Sequence, residues 1–193
     1  SKARAMLPDA GDTIIFEEAI PMQETLRDFK TRRSIRKFKS EPVPRDLLDQ
    51  VLEAGTYAPT GMNSQSPIIV AITNPEMVRR VAELNAAVMN RGGDPFYGAP
   101  AVLVVLSDRT KMTHVYDGSL VMGNLLNAAH AVGLGATWIH RAKEVFDSPE
   151  GKALLKEWGI EGDYEGIGNC IIGIPDEEPV TRPRKEGYII RVE

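Results

Sequence analysis

The stretch from Tyr116 to Leu134 limits the possible folds more than any other part of the chain. Its side chains are apolar or small nearly all round, and Asp117 is its only charge. A surface helix keeps a polar face for water, so a helix without one is buried on most sides. A chain of 193 residues is expected to form one domain and to bury about 70% of its unfolded surface, rarely enough to enclose such a helix in one subunit. The sequence therefore predicts that part of this helix lies against a second copy. It is not a membrane span, because Ser119, Asn124, Asn127 and His130 interrupt the nearest candidate, 118–135.

Two continuous apolar runs, Ile68 to Thr73 and Ala101 to Ser107, read as strands of a sheet covered on both faces. Helical spacing fills Pro75 to Met89 between them. Ala136 to His140 reads as a short strand and Gly166 to Ile174 as a further buried one. Leu26 and Phe29 mark a helix within 22–33, which gives way to extended chain at Ser34–Phe38. Pro42 and Pro44 precede a helix carrying Leu47, Leu48, Val51 and Leu52 that ends near Gly55. Asp147-Ser148-Pro149-Glu150 caps another, running to about Trp158. At the end, Tyr188–Val192 is an apolar strand that needs a sheet edge, its own or a partner's.

Met22-Gln23-Glu24-Thr25 resembles a natural start, so residues 1–21 are read as an N-terminal extension or leader and 22–193 as the single domain. With 23 basic and 27 acidic residues, no global field draws the chain to nucleic acid or to an anionic membrane. One cysteine and three histidines give neither an internal disulfide nor zinc-ligand spacing. Without an apolar signal core at its N-terminus, the chain reads as cytoplasmic.

The densest polar signal is Arg32-Arg33-Ser34-Ile35-Arg36-Lys37. In extended chain, Arg32, Ser34 and Arg36 share one side, and two guanidinium groups with a hydroxyl between them match a phosphate monoester. On charge alone, a solvated patch is the default reading. A second basic cluster, Arg182-Pro183-Arg184-Lys185, lies far away in an otherwise acidic tail and could converge on the same anion. The loop from Pro59 to Gln65 presents Thr60, Gly61, Asn63 and Gln65 just before a buried strand. Such groups suit the donors and acceptors of a planar heterocycle, or a plain turn with local bonding.

These motifs, in this order with Gly-Leu-Gly-Ala-Thr-Trp-Ile after the apolar helix, make the chain resemble the nitroreductase-like FMN flavoprotein family over roughly Met22 to Glu193. The resemblance implies an α/β (α+β) three-layer fold, with a mixed central sheet flanked by helices. It also implies a homodimer that exchanges its C-terminal strand and binds one FMN per subunit at the interface. It implies that Arg32, Arg33, Ser34 and Arg36 hold the phosphate and ribityl chain, with Arg184, and Lys185 or Arg182, closing on the same phosphate. The loop residues Pro59, Thr60, Gly61, Asn63 and Gln65 would reach the neighbouring subunit's flavin. Trp138, Ile139, His140 and Arg141 match the segment that places a residue over the ring and a backbone N–H near N5. His140 is a candidate general acid, with a solvent-facing or structural imidazole as the default.

Two departures from the family pattern stand out. Gln65 is followed by Ser66-Pro67 rather than Pro-Trp, and the excursion before the interface helix is reduced to Asp108–Thr113. The pocket should be less covered. The chain shows no Ser-His-Asp order, paired catalytic carboxylates or phosphate loop, and chemistry carried by a flavin needs none of them. The implied activity is ping-pong hydride transfer from NADH or NADPH, bound transiently, to a nitroaromatic, quinone or related small acceptor. Reductive dehalogenation, flavin breakdown and flavin binding without turnover are the alternatives.

Overall fold

The computed structural model describes residues 23–193, so the proposed leader lies outside the described part of the chain. Strand β1 (Ile68–Ile72) pairs with β2 (Ala101–Asp108), which pairs with β4 (Tyr164–Gly173), and β3 (Gly135–Ile139) closes the far edge in the order β1-β2-β4-β3. All three pairings are antiparallel. The parallel component among the described residues is a bridge between Ser34 and Ala136 on the outer side of β3.

The apolar run of β2 is continuous because both its faces are covered. Leu103 and Val105 point to a core shared with helices α2 (Arg45–Thr56) and α4 (His114–Ala131). Val102, Val104 and Leu106 point to a second core, under α3 (Pro75–Met89), α5 (Ala142–Asp147) and α6 (Pro149–Glu157). The result is three layers. Fully buried Leu103, Met122 and Leu125 each contribute about 1.5–3 kcal/mol relative to exposure. Register shifts between Val105 and Leu106, where Ile167 bulges from β4. The bulged side chain fills the space beside Gly118, whose Cβ would come within 2.5 Å of Ile167 Cγ1, and this seats α4 against the sheet.

Local chemistry explains the helix ends. Asn74 and Ser148 accept hydrogen bonds from the Met77 and Gly151 N–H groups at the starts of α3 and α6, each followed by a first-turn proline. α1 (Glu24–Thr31) is the exception to burial. None of its residues is buried, and Leu26 and Phe29 stand about half exposed. The terminal segment Tyr188–Val192 forms no strand within the described chain and remains exposed, so its own sheet does not supply the edge it was expected to need.

Candidate functional site

At the end of α1 the chain turns to an extended conformation at Arg32 (φ −55°, ψ 133°). Ile35 anchors the extended segment. Its side chain is buried against the start of β3, where a Cβ on Gly135 would lie 2.8 Å from Ile35 Cγ1. Its N–H donates to the Ala136 carbonyl (3.2 Å) and its carbonyl accepts from Thr137 Oγ1 (2.6 Å). With Ile35 inward, alternation turns Ser34 and Arg36 the other way, as the sequence predicts.

The Arg32 guanidinium is half-buried, and its pKa is lowered by desolvation first and then by the like charge of Arg33. No carboxylate among the described residues forms an ion pair with it. Arg33 is engaged elsewhere. Its Nη1 donates to the Arg32 carbonyl (2.5 Å), its Nη2 to Thr181 Oγ1, and its buried Nε has no partner among the described residues. The exposed Arg36 donates its backbone N–H to Glu177 Oε1 (2.5 Å), so this segment already receives an anionic oxygen. Two guanidinium groups, a hydroxyl and the Arg36 N–H form a donor set that fits a phosphate monoester, with Glu177 as the internal competitor for that N–H.

The tail runs alongside this segment, through Lys39 N–H to Ile174 O (2.9 Å) and Asp176 N–H to Lys37 O (2.9 Å). Thr181 reaches Arg33, which carries the start of the second basic cluster to the first. Arg184 and Lys185 do not join them. Both are exposed: Arg184 donates to the Arg182 carbonyl (2.9 Å), and the Lys185 ammonium lies 5.4 Å from the Tyr188 ring centroid.

The loop Pro59–Gln65 is held from α4. The buried carboxylate of Asp117 accepts from the Gly61 N–H (3.0 Å) and from Thr113 Oγ1 (2.8 Å). A Cβ on Gly61 would stand 2.4 Å from Thr113 Oγ1, so glycine is needed for close approach. Its N–H is consumed by Asp117 and is not free for a ligand. Beyond it, Met62, Asn63 and Gln65 all have positive φ, a costly conformation for residues with side chains. Thr60 Oγ1 accepts from the Gln65 N–H (3.0 Å), and the Gln65 amide donates to Asn63 Oδ1 (3.2 Å). Met62, Asn63 and Gln65 stay exposed, so none of these left-handed residues packs into the subunit's own core.

The third group lies where β3 ends. Trp138 packs across Gly168, whose Cβ would meet its indole at 2.8 Å, and near Met122, which fixes the ring to the α4 face. The Ile139 carbonyl accepts from Asn169 Nδ2 (3.3 Å) and the His140 carbonyl from Asn85 Nδ2 (2.9 Å). The His140 side chain is exposed, and Arg141 adopts a left-handed conformation (φ 76°) before α5. Five residues at about 3.3 Å each put Arg141 up to about 17 Å along β3 from the Ser34 bridge.

The basic segment therefore sits at the start of β3 and the Trp138–Arg141 group at its end, while the basic segment and the loop lie toward opposite ends of α4. Arg32 and Arg33 line a cleft with His130 near the C-terminal end of α4, whereas Asp117 holds the loop at its N-terminal end. Thirteen residues at 1.5 Å separate Asp117 from His130, about 20 Å. Sequence reasoning marks Asp117 as the lone charge on an apolar helix without giving it a role, and it misses Asn85, Asn169 and Glu177. Only the lone charge carries a signal in the sequence.

A family model described as the nitroreductase family matches residues 29–174. A protein of Methanothermobacter thermautotrophicus, provisionally named as an NADH dehydrogenase/NAD(P)H nitroreductase, is 30% identical over 88% of this chain and 87% of its own length. The FMN reductase [NAD(P)H] of Bacillus subtilis is 27% identical over 84% of this chain and 70% of its own. A crystal structure of a nitroreductase with bound FMN from Desulfitobacterium hafniense superposes with a TM-score of 0.81 at 26% identity, covering 90% of this chain and all of that one. With a family match across most of the chain and a shared fold, the chain belongs to the nitroreductase family.

Proposed function

We propose that this chain is an FMN-dependent oxidoreductase, acting as a homodimer, that oxidises NAD(P)H and reduces a nitroaromatic, quinone or related small acceptor. The observation that carries the reading is Arg32, a half-buried guanidinium without an acidic partner among the described residues, beside Ser34 and Arg36 on a segment locked to β3. A site of that kind is completed by a phosphate. Relatives named FMN reductase and NADPH-flavin oxidoreductase agree with this reading.

The placement of the three groups supports the homodimer. A two-fold axis across the middle of α4 sets one helix antiparallel to its copy, which brings each loop from the N-terminal end of one α4 to the basic segment at the C-terminal end of the other. Gly123 lies at that midpoint, and a Cβ built there meets nothing within 4 Å in the single chain. Tyr116 and Leu120 on α4, and Leu26 and Phe29 on α1, are about half exposed or more, the apolar surface such an interface would cover. The exposed Tyr188–Val192 segment is then free to add to the partner's sheet.

Bound FMN would supply hydride transfer at its ring nitrogen N5. In this reading Arg32, Ser34 and Arg36 hold the phosphate and Arg184 closes on it after assembly. Asn63 and Gln65 of the second copy offer their amides to the ring, and the Trp138–Arg141 segment lies along its edge. The test is the visible spectrum of the freshly purified protein, followed by steady-state NADH and NADPH oxidation with quinone and nitroaromatic acceptors. Arg32→Ala should cost about 3 kcal/mol of FMN binding, more than a hundredfold in Kd. Full flavin content in Arg32→Ala would overturn the site, and a colourless wild-type protein that gains no flavin from added FMN would overturn the function.

A further inference from the structure

Two asparagines in the core behind β3 have no use that packing explains. Asn85 on α3 and Asn169 on β4 are fully buried, and the Oδ1 of each lacks a partner among the described residues. A buried amide with half its capacity unmet is a cost. Apolar residues of similar size would avoid it, so the donor half must matter. Both donors go to consecutive carbonyls, those of Ile139 and His140, at the point where the β3–β4 pairing stops.

The peptide bonds here are trans, and a trans peptide directs the N–H of one residue opposite to the C=O of the residue before it. With the Ile139 and His140 carbonyls drawn inward to Asn169 and Asn85, the N–H groups of His140 and Arg141 must face away from the core. Neither donates to a backbone carbonyl among the described residues. The turn at Arg141 is left-handed (φ 76°), a strained conformation that directly follows the two held carbonyls. The arrangement is a pair of outward donors braced from behind, up to about 17 Å along β3 from the Ser34 bridge.

We propose that Asn85 and Asn169 are positioning residues that aim the His140 and Arg141 N–H groups at the N5 edge of the flavin ring; this rests on the FMN-dependent reading above. N5 accepts a hydrogen bond through its in-plane lone pair when the ring is oxidised, and it carries a hydrogen itself when the ring is reduced. A well-aimed N–H therefore favours the oxidised form. Slackening the brace should raise the midpoint potential of the bound flavin.

The test compares Asn85→Leu and Asn169→Leu with Ser107→Ala, which alters another buried polar group, on β2, that lacks a partner among the described residues and bonds neither the Ile139 nor the His140 carbonyl. Midpoint potential and melting temperature are measured on each flavin-loaded protein. Loss of one neutral hydrogen bond predicts about a fivefold change in the oxidised-to-reduced ratio, a rise of about 20 mV for a two-electron couple, in both leucine variants and not in Ser107→Ala. Lowered melting with unchanged potential would make the asparagines merely structural and overturn the proposal. If the leucine variants do not fold, wild-type protein labelled with ¹⁵N decides. The His140 and Arg141 amide resonances should move on reduction of the flavin more than those of the surrounding segment, and unmoved resonances overturn the positioning role. A wild-type protein that takes up no FMN removes the underlying function instead, an outcome distinct from bound flavin with an unshifted potential.

Discussion

Replacing Gly61 by alanine tests how the loop is held. The new Cβ would stand 2.4 Å from Thr113 Oγ1 and 3.2 Å from Thr113 Cβ and Cγ2. Thr113 cannot simply turn aside, because its hydroxyl donates to Asp117 at 2.8 Å. Relieving the clash means losing that bond to a carboxylate, about 1.5–3 kcal/mol, or displacing the loop at an overpacking cost of about 1–3 kcal/mol. Either route gives a loss of about 2 kcal/mol in Gly61→Ala. Thr113→Ala removes the hydroxyl and Cγ2 in advance, leaving only the Cβ contact at 3.2 Å, so in that background Gly61→Ala should cost less than about 1 kcal/mol. A double-mutant cycle by urea denaturation therefore predicts a coupling of at least about 1 kcal/mol, with the double variant more stable than the sum of the singles implies. FMN titration of the same four proteins should show the largest rise in Kd for the single Gly61→Ala. Additive stabilities, or flavin affinity unchanged in all four, would refute the tether and its connection to the site.

Further predictions rest on other parts of the molecule. Gly123→Leu has open space within one chain, so it should leave the subunit folded but yield monomers with depleted flavin in light scattering, and a full-flavin dimer would count against the α4 interface. Burial alone would raise the Asp147 pKa, but hydrogen bonds from Lys143 and Arg109 and the charge of both outweigh it, holding the carboxyl below its ordinary value. A depressed folded pKa stabilises above the unfolded value near 4 and loses that contribution as pH falls through the folded one, so Asp147→Asn should be destabilised at neutral pH and lose less than wild type on acidification below about pH 4, followed by thermal melting. Burial pushes the Cys170 thiol up to about 12, so a disulfide reagent should label it only after denaturant unfolds the chain, and rapid labelling of native protein would contradict its placement in the sheet.

Much of the fold is a matter of period, and period is local. The doubly covered run of β2, the spacing of α3 and the capped start of α6 are readable from neighbouring residues, because burial on both faces, one helical stripe and an N-cap each leave a mark within a dozen positions. The alternation that turns Ser34 and Arg36 away from Ile35 is legible for the same reason. α5 leaves no such mark, since its six residues are too few to display a period.

Pairings across long separations emerge only on folding. The Gly61–Asp117 bond spans 56 residues and the Asn85–His140 bond 55, and no nearby residue pattern predicts either. The same holds for the placement of the basic segment and the loop at opposite ends of α4, a distance set by the rise of a helix that neither motif belongs to. Charge and hydropathy belong to each residue, so the basic side chains proposed to hold a phosphate, and the apolar helix from which a second copy is inferred, are evident in the unfolded chain. Which N–H groups face outward, and which side chains brace them, depends on how sheet and helices stack, and that is visible only in the folded molecule.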